Sequence, residues 1–237
     1  MDWYSPKKPA EIAESRLIQA ILTGKFSINS NLPAERELAE LIGVTRPTLR
    51  EALQRLERDG WLEIHQGKTT RIRNFWEEGN LGVLSALAQN PKYNPQNFVL
   101  NLLSVRIDLA PSYTRLACEN NPVLLNQFLG KLITLPDDPQ TYTQADWTLH
   151  HQLTIFSANP IYTLILNGFR DLYLSMGLLY FSQADARLHS SCFYKELLHA
   201  VNQNDPIAAE ALTHHVMSES LQFWQKIDLN NNIGGIP

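Results

Sequence analysis

The stretch VTRPTLREALQRLERDG, Val44 to Gly60, decides the fold. Thr45 is a good helix N-cap, since its hydroxyl can accept from the N–H groups that a first turn leaves unpaired. Pro47 falls in that first turn, where its missing N–H is not needed, and Gly60 supplies the stop. Between them Leu49, Ala52, Leu53 and Leu56 form an apolar stripe, while Arg46, Arg50 and Gln54 recur every four residues on another face. Such a helix packs its leucines inward and carries two arginines at its front end.

The flanking sequence makes this the third helix of a motif. EIAESRLIQAILTG places Ile12, Leu17, Ile18, Ile21 and Leu22 at helical spacing and closes on Gly24. After the turn-like FSINSN, LPAERELAELIG opens at Pro33, puts Leu38, Leu41 and Ile42 on one face and ends at Gly43. Two helices joined by a short glycine-bearing turn make a helix-turn-helix. Beyond Gly60 the period changes: WLEIH, QGK and TTRIRNF read as two short strands around a turn. Three helices and a hairpin make a winged helix, a DNA-binding fold. Arg46 and Arg50 then stand where a recognition helix presents bidentate donors to guanine O6 and N7. Thr45, Thr48 and the helix N-terminus suit phosphate, Gly67 lets the hairpin tip approach closely, and Lys68 adds charge there.

Bulk properties agree. The 237 residues suit two domains, and the formal charge of −4 divides into +2 over residues 1–73 and −6 over 74–237, a basic module joined to an acidic body. Cys118 and Cys192 are far apart and are expected as buried small hydrophobes. No apolar run approaches the roughly 18 residues of a membrane helix, and MDWYSPKKPA lacks the apolar core of a secretory signal, so a cytoplasmic protein without membrane contact is expected.

After NFWEEGN the sequence becomes leucine-rich and helical, with breaks at Asn90-Pro91, Asn94-Pro95, Asn121-Pro122, Pro136, Asn159-Pro160 and Asp205-Pro206. The expected fold class is mainly α: an N-terminal winged helix-turn-helix over 1–73, a linker over 74–80, an all-α bundle of six or seven helices over 81–228, and a flexible tail over 229–237.

PAERELAELIGVTRPTLREALQRLERDGWL resembles the winged-helix domain of the GntR family of bacterial transcription regulators, whose pattern is P-x-E-R-x-L-A followed by x-V-x-R-x-x-x-R-E-A-L-x-x-L. NLLSVR at 101–106, FSANPIYTLILNG at 156–168, LYLSMGLLYF at 172–181 and SESLQFW at 218–224 resemble the ligand domain of its FadR branch, as does the N-F-W at Asn74, Phe75 and Trp76. The resemblance implies a homodimer on double-stranded operator DNA that represses fatty-acid degradation genes, activates synthesis genes and lets go when a long-chain acyl-CoA binds. It brings Arg36, His65 and Gln66 into the DNA set, and it implies an acyl-CoA site at Arg106, Tyr173, Tyr180, Met217, Glu219, Ser220 and Trp224. Four departures stand out: Met217 replaces a glycine, Leu229 a lysine, Gln66 the histidine before the wing glycine, and Pro47 a threonine.

Two rival chemistries are weaker. GntR relatives that sense carboxylates bind a metal through one aspartate and three histidines. Asp146 and His150 match the first two positions at i, i+4, but the others fall at Tyr194 and Val216, so no metal is expected. His214, His215 and Glu219 are only partly similar to an acyl-transferase H-H-x-x-x-D, with Ser220 where glycine should follow, and no other catalytic motif occurs, so no enzyme activity is expected.

Overall fold

A computed structural model describes residues 8–65, 67–90, 93 and 97–231. The chain forms two compact units, residues 1–93 and 94–237.

In the first unit α1 spans Pro9–Leu22, α2 Glu35–Ile42 and α3 Arg46–Arg58. Gly43 ends α2 in the left-handed region at φ 77°, and Thr45 caps α3 by accepting from the Thr48 N–H. The α3 stripe is buried as the spacing predicts: Leu49, Ala52, Leu53 and Leu56 are all under 4% exposed. The end of α3 is a Schellman motif, in which the Trp61 N–H donates to the Leu56 carbonyl and the Gly60 N–H to that of Glu57. Gly60 has φ 90°, and a Cβ there would lie 3.0 Å from the Gly79 Cα, so both backbone angle and space demand glycine.

Two core assignments change. The buried arc of α2 is Leu38, Ala39 and Ile42, which leaves Leu41, roughly 110° from its centre at 3.6 residues per turn, 52% exposed. In α1, Ala10 and Ala13 join Leu17, Ile18 and Ile21 inside, while Ile12 and Leu22 are half-buried.

The hairpin pairs β1 (Leu62–Glu63) with β2 (Arg71–Ile72), Leu62 opposite Ile72 and Glu63 opposite Arg71. The segment before α2, read from sequence as a turn, adds a third rung: Asn31 bridges Arg71, and the Leu32 N–H donates to the Thr70 carbonyl at 2.8 Å. A single bridge carries no alternating pattern, so the sequence did not announce it. Within the stretch expected as a linker lies α4 (Phe75–Glu78), with Phe75 against Trp61 at 4.6 Å between ring centroids. α5 (Leu81–Ala88) follows, its cap residue Asn80 accepting from the Gly82 N–H and donating to the Arg58 carbonyl.

The second unit is helical among the described residues: α6 (Phe98–Asn120), α7 (Pro122–Gly130), α8 (Pro139–Phe156), α9 (Pro160–Asn167), α10 (Arg170–Phe181), α11 (Ala184–Asn202) and α12 (Pro206–Asn231). Pro122, Pro139, Pro160 and Pro206 each stand at the first helical position, where a fixed φ costs nothing. The breaks at Asn90-Pro91 and Asn94-Pro95 lie mostly outside the described residues, as do 232–237 of the expected tail; residues 229–231 belong to α12. α12 packs along α6, and α10 crosses α8 closely enough that a Cβ on Gly177 would sit 2.8 Å from the Thr143 Cγ2. Leu125, Leu129, Leu149, Leu153 and Tyr194 are fully buried at the centre. Cys118 is buried as expected, but Cys192 is exposed: it immediately precedes the inward Phe193/Tyr194 pair on α11 and is turned off their face.

Candidate functional site

Two sites emerge, one in each unit. On the first, Arg46 and Arg50 project from the opening turns of α3 with side chains 56% and 60% exposed. Both reach one carboxylate: the Arg50 Nε donates to Glu35 Oε2 at 2.8 Å, and the Arg46 Nη2 lies 3.7 Å from the same oxygen. Thr45 and Thr48 share a 2.9 Å hydroxyl contact beside them. Arg36 is exposed on α2. At the hairpin tip Gly67 holds φ 72° with open space around it, Lys68 is exposed, and the exposed His65 lies 3.3 Å from Glu63; Gln66 lies outside the described residues. Glu35 was missed by sequence reasoning, although its place beside Arg36 in the P-x-E-R pattern was a signal that could have drawn attention to it.

The second site is a cavity of about 130 Å³ lined by residues of α6, α8, α9, α10 and α12. Its walls are apolar, with Leu102, Leu103 and Leu109 from α6, Ile165 and Leu166 from α9, and Met176 from α10. Its polar floor holds Arg106, Tyr113, Asp146, Tyr173, Tyr180 and Ser220, with Trp224 closing one side.

The floor is a connected network. The Arg106 Nη2 donates to Asp146 Oδ2 at 3.2 Å and to His150 Nε2 at 2.6 Å. Tyr173 and Tyr194 hydroxyls donate to the two Asp146 oxygens at 2.5 and 3.1 Å. Because a guanidinium can only donate, the Nε2 of His150 must be the accepting nitrogen, and its Nδ1–H then donates to the Tyr113 hydroxyl at 2.7 Å. Burial and the adjacent guanidinium depress His150 to about 3, so it is neutral. Burial works against the Asp146 charge too, but the Arg106 guanidinium and the Tyr173 and Tyr194 hydroxyls outweigh it and hold its carboxyl below the usual range. For Arg106 burial also opposes the charge, and Tyr173 and Asp146 more than restore it. The Arg106 Nε is buried without a hydrogen-bond partner. Burial raises the Tyr180 hydroxyl, the nearby Ser220 partly offsetting it.

Asp146 and His150, the i, i+4 pair at the metal positions, thus already share a cation, the guanidinium of Arg106. Tyr194, at a third such position, donates to the aspartate instead of ligating. Among the described residues no group of three or more His, Cys, Asp or Glu could hold a metal ion.

Of the expected ligand residues, the fold brings Arg106, Tyr173, Tyr180, Ser220 and Trp224 together. Met217 is instead packed in the bundle core at 3% exposure, and Glu219 does not line the cavity. One residue before Ser220, Glu219 is turned about 100° around α12 and binds His189 Nε2 at 2.7 Å and His215 Nε2 at 3.5 Å. His214 is exposed on the same helix. The apolar walls went unassigned, since leucines at helical spacing look the same whether they fill a core or line a cavity.

A winged helix followed by a helical unit is the plan of a bacterial transcription regulator. Residues 9–72 match the family of bacterial regulatory proteins called gntR, and residues 73–233 match the FadR C-terminal domain. The chain belongs to the FadR branch of the GntR family. A "Fatty acid metabolism regulator protein" of Shewanella baltica strain OS155 is 44% identical over 224 residues, 93% of each chain. Another so named, from Shewanella putrefaciens strain CN-32, is 48% identical over 194 residues, 81% of this chain and 80% of its own. Among solved structures, one described as "Lar controls the expression of the Listeria monocytogenes agr system and mediates virulence" shares the fold, with a TM-score of 0.61 at 15% identity over 94% of this chain and 99% of that one.

Proposed function

We propose that this protein regulates fatty-acid metabolism by binding operator DNA as a homodimer, repressing degradation genes and activating synthesis genes, and that a long-chain acyl-CoA in the helical unit releases it. The observation that carries this reading is the cavity: apolar walls suited to a hydrocarbon chain over a floor in which the Arg106 Nε–H has no acceptor of its own. A carbonyl oxygen of the ligand satisfies that donor. Asp146 already neutralises Arg106, which favours an uncharged thioester over a free carboxylate at this depth.

At about 130 Å³ the cavity is in the range that takes a benzene-sized group, so a long chain requires the walls to part. α9 is the wall that moves at least cost, because none of its residues is fully buried. On the DNA side, Arg46 and Arg50 read bases, Thr45 and Thr48 bind phosphate, and Arg36, His65, Gln66, Gly67 and Lys68 follow the backbone and adjacent groove. A helix-turn-helix dimer needs its recognition helices about 34–36 Å apart, and acyl-CoA releases DNA by binding better to a form in which that spacing is lost.

Fluorescence anisotropy on a FadR-type palindromic duplex, titrated with oleoyl-CoA, oleate and citrate with and without EDTA, tests the reading. Release by oleoyl-CoA alone is expected. A response to citrate that EDTA abolishes would instead make this a metal-dependent carboxylate sensor, with Asp146 and His150 as ligands.

A further inference from the structure

We propose that Glu35 is a specificity-determining residue of the DNA face, setting how well Arg46 and Arg50 distinguish a cognate base edge from a bare phosphate; the proposal rests on the DNA-binding reading above. One carboxylate on the first turn of α2 holds two arginines of α3, at 2.8 Å from the Arg50 Nε and 3.7 Å from the Arg46 Nη2. All three side chains are more than one-third exposed, so a ligand can reach them.

The two kinds of partner that DNA offers meet this arrangement differently. A guanine edge is uncharged and takes a fork of two N–H donors. With its Nε engaged by Glu35, Arg50 still has both terminal nitrogens for that fork, and its side chain is fixed before the encounter, so less rotamer freedom is lost on binding. A phosphate is an anion. Brought to either arginine it comes within a few ångströms of the Glu35 carboxylate, well inside the screening length of about 8 Å at physiological salt. A phosphate contact must therefore displace Glu35 or bear its repulsion, whereas a guanine contact requires neither. Glu35 thus weakens binding to arbitrary sequence more than binding to the operator.

The test uses the full-length protein, a duplex enriched from a random pool by the wild type, and a scrambled duplex of the same composition. Glu35→Gln keeps the size and removes the charge. Affinity for the scrambled duplex is expected to rise about threefold, the order of one exposed ion pair, with a salt slope steeper by about 0.9 per phosphate gained. The enriched duplex gains less, so the specificity ratio falls. Glu35→Asp, too short to span both arginines, is expected to lower the ratio through affinity for the enriched duplex, with no steepening of the salt slope. Equal changes on both duplexes with unchanged slopes, for either variant, would overturn the proposal. Failure of the wild type to enrich any sequence would bring down the DNA-binding reading itself, and is seen before any variant is made.

Discussion

Arginine is used in two opposite ways by the two units. Arg46 and Arg50 lie on the surface, more than half exposed, and share one carboxylate. Exposed pairs of this kind contribute about 0–1 kcal/mol, so they can be exchanged for another partner at little cost. Arg106 is only 20% exposed and is bound to an Asp146 that is 7% exposed, inside a shell of tyrosine hydroxyls. A buried pair cannot be given up, because the charge left behind has neither water nor partner. The surface arginines are thereby suited to exchange, and the buried one to serving as a fixed floor whose Nε–H is left without an acceptor.

The comparison breaks first if Arg106→Ala proves benign. Removing one partner of a buried pair should cost about 3–5 kcal/mol, read by urea denaturation of the intact protein, while Arg46→Ala should leave the midpoint unchanged.

A pH titration of stability sharpens it. His150 has its folded pKa depressed to about 3 from an ordinary 6.5, so below pH 6.5 the unfolded chain takes up a proton that the folded chain refuses. Stability is therefore lost as pH falls from 6.5 toward 3, by about 1.4 kcal/mol per unit from this group. Asp146, also depressed, holds its contribution until the ordinary carboxylate range is reached, so the slope near pH 5.5 reports His150. Denaturation at pH 7.0 and 5.5 should show this loss in the wild type and a flatter response in His150→Gln.

In the first unit the effects should appear in binding and not in stability. Arg46→Ala or Arg50→Ala should weaken operator binding by about 1–3 kcal/mol and relax base preference. Lys68→Ala should reduce the salt slope by about 1 and leave base preference alone. Smallest of all, Leu41→Ala should change stability by no more than about 0.5 kcal/mol, as for surface sites generally, because Leu41 is half exposed.

The two units also differ in how much of them the sequence discloses. In α3 a cap, a proline, a stripe and a stop all agree, and each is local, so the element and its buried face can be read directly. Leu41 misleads because an eight-residue helix buries only a narrow arc, and which leucine falls inside it depends on partners outside the helix. In the second unit prolines mark the starts of α7, α8, α9 and α12, which makes the helical plan legible. The cavity is not. It arises where α6, α8, α9, α10 and α12 meet, and no spacing within one helix encodes whether Leu102 or Ile165 faces another side chain or open space. Met217 and Glu219 show the same limit on one helix: both are near Ser220 in sequence, yet one is turned into the core and the other toward His189. Glu35 escaped notice because a carboxylate on a basic face looks like a solvated neighbour until its distance to two arginines is known.

Gly177 gives the close crossing of α10 and α8 a further meaning. Tyr173 and Tyr180 stand four residues before it and three after, on the same side of α10, and Tyr173 donates to Asp146 on α8. The hydrogen at position 177 acts as a spacer gauge: it fixes how far both phenols reach into the chamber. A single added methyl would meet Thr143 at 2.8 Å and lift that whole side of α10, so the width of one carbon atom is the machining tolerance of the chamber.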